Sequence, residues 1–275
     1  MDTFKQAQEL IDTIIDNLHD DRWTLRLCSR FCHSWLPRSQ QHLFRHIVLL
    51  PPCRRYNSRP TDVPYSKRLH KVLFASPRIA DYIQEVKVYE GQGFREQDWI
   101  SKDQTLPLVV RMLPKLKKIE FRRLYWNTLA ADLRQSIRFV LELPSMESLE
   151  IKKGRFASMD DFARFLYHAK GLTGLSLGDI NLQWDPADYD QEEIEEGVDS
   201  LQKGHLVNLN LKKFSESRLF IDWLLGPRSH FVVSKIHTLD VSDPCDGNAL
   251  NSLLLAIGNS LRHCKFEPLR NEWGE

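Results

Sequence analysis

Leu116-Lys117-Lys118-Ile119-Glu120-Phe121, residues 116–121, decides the fold class, because its spacing of apolar residues returns along the chain. An apolar residue, two others, a second apolar residue, one other and a third apolar residue recur seven times. They stand at Ile83/Val86/Val88, Leu116/Ile119/Phe121, Met146/Leu149/Ile151, Leu172/Leu175/Leu177, Leu206/Leu209/Leu211, Ile236/Leu239/Val241 and Leu261/Cys264/Phe266. The central residues lie 33, 30, 26, 34, 30 and 25 positions apart. A spacing of two places side chains on one face of a strand, so each triplet predicts a short strand with apolar residues inward and polar ones outward. Self-similarity at this period predicts stacked units, each burying against its neighbours what it cannot bury alone.

The segments between the triplets read as helices. Leu129, Leu133, Ile137, Val140 and Leu141 follow helical spacing, and Ser158-Met159-Asp160-Asp161 has a capping-box pattern ahead of Phe162, Phe165, Leu166 and Ala169. Asp190 and Glu193 precede Ile194, Val198 and Leu201 in a similar way, and Phe220, Trp223 and Leu224 end at Gly226-Pro227, a helix stop. Leu250, Leu253, Leu254 and Ile257 complete the set. Strand alternating with helix predicts an α/β fold: a curved parallel sheet with helices outside. The repeated core resembles that of leucine-rich repeats. The asparagine that those repeats carry three residues after the last apolar position is replaced here by Leu124, Gly154, Ile180, Phe214 and Pro244. The repeats are therefore irregular, and no capping unit is recognisable after the last triplet.

Residues 1–50 follow a different pattern. Leu10, Ile11, Ile14, Ile15 and Leu18 form a helical stripe, and His19-Asp20-Asp21-Arg22 breaks it. Either aspartate suits the cap of a second helix, in which Leu25, Cys28, Cys32 and Trp35 lie on one side and Leu27 and Phe31 widen the apolar surface. Pro37 is read as the stop of that helix, before a short segment with Leu43, Phe44 and Ile47. About 40 residues rarely bury enough apolar area to stand alone, so helices apolar on more than one side need a second surface. That surface is either the rest of the chain or another protein.

Residues Glu9 to Leu18, Leu25-Arg26-Leu27-Cys28-Ser29-Arg30-Phe31-Cys32-His33-Ser34-Trp35 and His42-Leu43-Phe44 together resemble an F-box, closest to the large fungal sets. Cys32-His33-Ser34-Trp35 matches the Cys-x-x-Trp ending of that family's second helix. The family opens with Leu-Pro two residues before the acidic position, where this chain has Ala7-Gln8. The resemblance implies a three-helix docking segment that binds a Skp-family adaptor and, through it, a cullin. By position it assigns Leu10, Ile14, Leu18, Leu25, Cys28 and Trp35 to that contact, shared with the segment's own packing. The expected organisation is a docking segment at 1–50, a proline- and arginine-rich linker at 51–66 and the repeat array at 67–275.

The outward strand positions are the expected surface for a protein target: Lys118, Glu120, Arg122, Glu150, Lys152, Asn208, Asn210, Lys212 and Asp240. The implied function is a substrate receptor of a Skp–cullin–F-box ubiquitin ligase. A non-degradative scaffold that binds the adaptor is the alternative. Thirty-eight basic and 37 acidic side chains leave a formal charge of +1, which is no footprint for broad nucleic-acid or anionic-membrane binding. Five cysteines without framework spacing, the absence of an Asn-x-Ser/Thr site and the absence of a long apolar run predict an intracellular protein, cytoplasmic or nuclear, with no membrane span. Residues 111–123 carry six basic side chains and one acid, and residues 185–199 carry eight acidic ones. Each is either a solvated surface or a partner-selecting patch.

Two motifs invite chemistry. Gly174-Leu175-Ser176-Leu177-Gly178 matches the nucleophile elbow of α/β-hydrolases, but Leu175 and Leu177 sit in repeat register and Asp179 to Pro186 does not open a helix. A serine hydrolase using Ser176 is therefore kept only as the enzymatic alternative. Cys28, Cys32, His33, His42 and His46 lack the spacing of common structural zinc sites. No metal, cofactor or catalytic residue is expected.

Overall fold

The structure is a computed structural model, and it describes residues 2–52, 63–91, 99–182, 204–214, 216–242 and 246–267, with side chains from residue 7 onward. Among the described residues, eight strands form one parallel sheet in chain order: β1 (His46–Leu49), β2 (Glu85–Tyr89), β3 (Lys118–Tyr125), β4 (Ser148–Phe156), β5 (Gly174–Leu182), β7 (Asn208–Lys212), β9 (Thr238–Ser242) and β10 (His263–Glu267). The two-residue strands β6 (Gly204–His205) and β8 (Phe231–Val232) pair separately. Parallel neighbours require crossovers. Here these hold α4 (Tyr65–Ala75), α5 (Trp99–Lys102), α6 (Leu106–Arg111), α7 (Ala131–Leu141), α8 (Met159–Tyr167), α9 (Ser217–Leu225) and α10 (Gly247–Ile257). The expected helix over residues 190–201 and most of the expected linker lie outside the described residues.

The second and third residues of all seven triplets fall on strands, the first standing two residues ahead of each strand, and their central residues pair directly. Val86 lies opposite Ile119, Ile119 opposite Leu149, Leu149 opposite Leu175, Leu175 opposite Leu209, Leu209 opposite Leu239, and Leu239 opposite Cys264. The strand entrances repeat as well. The carbonyls of Gln84, Lys117, Glu147, Thr173, Val207 and His237 each accept two N–H groups from the start of the next strand. Inward rows of Ile, Val, Leu and Phe are buried together with Leu133, Ile137, Phe162, Phe165, Phe220 and Leu253 of the helices. Aromatic rings fill the middle: Trp126 meets Phe165 edge-on at 4.8 Å, and Phe156 lies 4.7 Å from Phe162. Outermost strand β10 is exposed at all five positions, including Cys264 and Phe266 in the inward register.

Strand ends carry a regular deviation. Arg123, Lys153, Asp179 and Lys213 have φ of 65°, 64°, 54° and 48°, the left-handed region. Each stands two residues after the last apolar position of its triplet. Pairing skips the position: Arg122 lies opposite Lys152, and the next pair is Leu124 with Gly154. One left-handed residue shifts the alternation, so Leu124, Ile180 and Phe214 return to the core at 0%, 1% and 2% exposure. Apolar packing thus occupies the place where an asparagine ladder was absent. Left-handed backbone costs a non-glycine residue about 1 kcal/mol. Lys213→Gly is expected to stabilise the protein by about 0.5–1 kcal/mol in urea titration. Gly154→Ala is expected to cost about 1–3 kcal/mol in the same titration. A Cβ there would stand 2.9 Å from both Ile151 Cγ2 and Ile180 Cδ1.

The amino-terminal helices differ from expectation at two points. Helix α1 (Asp2–Asp16) and α2 (Arg22–Phe31) form as read, and Asp21 caps α2 by accepting from Trp23 N and Thr24 N at 3.1 and 3.0 Å. Helix α2 stops at Phe31, because Cys32 is extended at φ −156°, and not at Pro37. Pro37 instead sits in the first turn of α3 (Leu36–Arg45), where a missing N–H leaves no bond unmade. Second, the expected boundary at residue 50 cuts through the sheet. Strand β1 follows α3 without a linker and pairs with β2, Ile47 opposite Val86. Asp16 joins α1 to α3 by accepting from Arg38 and from His42 Nε2 at 2.8 Å. The Arg38 guanidinium, against some burial and with His42, holds the Asp16 carboxyl at about 2.

Candidate functional site: an apolar helix face and a charged sheet face

Two surfaces stand out. On α1, Leu10 and Ile14 are one helical turn apart and 67% and 53% exposed; on α2, Trp23, Leu27 and Phe31 follow at the same step, with Phe31 77% exposed. Trp35 packs its ring 5.3 Å from that of Phe31. The segment's own core is small: Ile15, Leu25 and Cys28 are buried. Gln8, at the departure from the F-box opening, donates to Asp12 Oδ1 and to Ser34 O. It thereby ties the middle of α1 to the turn after α2.

Of the residues assigned to the adaptor, Leu10 and Ile14 are open, Leu18 and Trp35 are half-buried, and Leu25 and Cys28 are interior. The open stripe of α2, Trp23-Leu27-Phe31, was not among them, although its step of four is plain in the sequence. The cysteine and histidine cluster is dispersed. His42 Nε2 faces Asp16, His46 Nδ1 faces Glu85 Oε2 at 2.8 Å, and Cys32 Sγ faces Ser34 Oγ. Among the described residues, no group of three or more His, Cys, Asp or Glu side chains could hold a metal ion, and no helix is long and apolar enough to cross a membrane.

The outward sheet face is built by register. One row across it runs Lys87, Glu120, Glu150, Ser176, Asn210, Asp240 and Lys265; the next, toward the strand ends, runs Tyr89, Arg122, Lys152, Gly178, Lys212, Ser242 and Glu267. All nine outward residues selected from the sequence are on this face. Glu120 is nevertheless 1% exposed, because cations close over it: Lys87 Nζ at 3.2 Å, Arg122 Nε at 3.0 Å and Lys152 Nζ at 3.0 Å. Burial raises the affinity of its carboxylate for a proton, but the bonds from Lys152 and Arg122, with Lys87, outweigh this and hold it at about 2. Lys118 and Lys152 hold Glu150, and Asn210 and Lys212 hold Asp240. Lys87, Tyr89 and Lys265 complete the rows, and the surface selected from the sequence lacked them.

Ser176 lies inside β5, opposite Glu150 and Asn210, and the strand continues to Leu182. The strand–turn–helix of a nucleophile elbow is therefore not formed there. Gly174, Ser176 and Gly178 are instead the outward positions of β5, a strip of small residues between the longer side chains of β4 and β7.

At the C-terminal ends of β1–β4 the face opens into a cleft of about 540 Å³, lined on one side by Leu50, Pro51 and Tyr89 and on the other by Arg122, Arg123, Lys152 and Lys153. Glu90 closes its wall, its carboxylate accepting from Trp99 N at 3.0 Å and Ile100 N at 3.3 Å. The paired cations of three strands, β3, β4 and β7, are legible as Arg122-Arg123, Lys152-Lys153 and Lys212-Lys213. The first pair belongs to the basic run noted at 111–123; the acidic run at 185–199 lies outside the described residues. No protein-family model matches this chain, and no curated protein matches it.

Proposed function

We propose that this chain is the substrate-recognition subunit of a Skp–cullin–F-box ubiquitin ligase. In this reading α1–α3 are an F-box, and the strands and crossover helices are an irregular leucine-rich-repeat solenoid. The observation that carries the proposal is the solvent exposure of Leu10, Ile14, Trp23, Leu27 and Phe31 on two short helices at the start of the chain. Burying such side chains is worth roughly 1.5–3 kcal/mol each, and nothing among the described residues covers them. A Skp-family adaptor groove would take them as anchors at helical spacing.

The charged sheet face is the target surface in this proposal, and the receptor acts by proximity. It holds a target lysine near a charged ubiquitin-conjugating enzyme and makes or breaks no bond itself. Direct continuity of α3 with β1 supports that role, because it removes a flexible joint between adaptor and target. The 3₁₀ turn Pro77–Tyr82 also packs against α3. An intracellular location, cytoplasmic or nuclear, goes with the same reading. The test is co-expression of the full chain with a Skp-family adaptor, followed by size-exclusion chromatography. Joint elution supports the F-box assignment, whereas separate elution of a folded chain refutes it.

A further inference from the structure

We infer that the cleft between Leu50, Pro51 and Tyr89 and the four cations Arg122, Arg123, Lys152 and Lys153 binds an acidic segment of a protein partner, with an apolar side chain beside its carboxylates. This rests on the receptor reading for its biological meaning but not for its chemistry. Charge is the first argument. Around the cleft, Lys87, Arg122, Arg123, Lys152 and Lys153 stand against Glu90, Glu120, Glu150 and Asp179, which leaves the cations in excess. Glu120, the carboxylate that holds three of them, is itself buried and cannot be the group presented to a partner.

Geometry is the second argument. Arg122 bonds Glu120 through Nε, and its guanidinium lies 4.2 Å from the Tyr89 ring centroid. Its terminal nitrogens make no hydrogen bond among the described residues, so the planar fork is held in place with its tips open. A fork so fixed suits a carboxylate, which takes two parallel N–H bonds. Arg123 is steadied by its Nη1 bond to Gly91 O, and Lys153 stands 61% exposed at the rim, 3.8 Å from Asp179. The wall opposite is apolar, with Leu50 37% exposed.

Position is the third argument, because the cleft lies beyond the ion pairs around Glu120, toward the carboxyl ends of the strands. The left-handed residues at 123 and 153 place a second cation there on each of two neighbouring strands. A nucleic acid fits less well. Glu150, Asp179 and Asp240 are interleaved with the cations, and a continuous phosphate backbone would pass over these carboxylates as well.

Fluorescence anisotropy tests this, using the full chain and a labelled peptide of alternating glutamate and leucine. Its glutamine counterpart and a single-stranded oligonucleotide serve as rival probes. The glutamate peptide is expected to bind, to weaken about tenfold as salt screens the charges, and to weaken at least about tenfold in Arg123→Glu/Lys153→Glu. Lys153→Met provides a milder variant if the double one does not fold, and should weaken binding about threefold. Failure of the glutamate peptide to bind, equal binding of the glutamine peptide, indifference to these substitutions or preference for the oligonucleotide would each overturn the inference. Adaptor co-elution is read in parallel. Peptide binding without adaptor binding sinks the receptor reading alone, and adaptor binding without peptide binding sinks the cleft alone.

Discussion

Ile14→Asp/Phe31→Asp is expected to abolish joint elution with a Skp-family adaptor while leaving the melting temperature of the free chain within a few degrees. Both side chains are more than half exposed, so replacing them removes little packing from the free protein. In the complex each would place a carboxylate in an apolar groove. Two buried, unpaired charges cost several kcal/mol or more, a loss of over a thousandfold in affinity. Leu25→Asp is the informative contrast. Leu25 is 0% exposed, so that change is expected to lower the stability of the free chain before any partner is present. A variant pair that behaved alike, both binding or both unfolding, would contradict the division of this segment into an inner and an outer face.

Acid is expected to destabilise the protein between about pH 6.5 and 4, through one buried side chain. His230 is 3% exposed, its ring centroid is 4.0 Å from that of Phe231, and the Tyr167 and Trp223 rings stand edge-on to it. Its Nε2 has no hydrogen-bond partner among the described residues. Burial, with the nearby charges of Lys170 and His168, pushes its proton affinity down from 6.5 to about 4. The folded state therefore keeps His230 neutral where the unfolded chain takes up a proton. Stability is full above 6.5, falls as pH drops toward 4 and levels off below. The shift corresponds to on the order of 3 kcal/mol, or roughly 5–10 °C in Tm. His230→Phe is expected to flatten this limb. Glu120 and Asp16, whose folded values are depressed to about 2, add stability above their ordinary carboxylate range and lose it only as pH falls below that range. Thermal melts at pH 7, 6 and 5 lie above the range in which those two carboxylates lose their stabilisation, and the comparison with His230→Phe assigns the limb. An unchanged limb in His230→Phe would show that another group causes it.

The sheet was legible because its signal is periodic. A parallel sheet stacked in chain order places equivalent residues of each unit opposite one another, so the central residue of each triplet was already the register. The strand that was missed had the same signal. Phe44/Ile47/Leu49 has the spacing of the other triplets, and Ile47 pairs with Val86 as that spacing requires. It was absorbed into the helical reading of residues 1–50, where Phe44 also fits a helix. The misplaced end of α2 has a similar cause, because proline marks a first turn as readily as a stop.

Other features leave no trace in residue type. Arg, Lys and Asp occupy the left-handed positions, so neither glycine nor asparagine marks them. The burial of Glu120 depends on cations drawn from three strands, Lys87, Arg122 and Lys152, which only the register brings together. On the helices, apolar spacing identified stripes, but which stripe turns outward depends on the small core formed by Ile15, Leu25 and Cys28.

Calorimetric titration of the full chain with a Skp-family adaptor at several temperatures tests the central claim most directly. The account predicts a one-to-one complex whose heat of binding becomes more negative as temperature rises, because apolar side chains leave water when it forms. No binding heat at any temperature, with the chain folded and eluting apart from the adaptor, would contradict it.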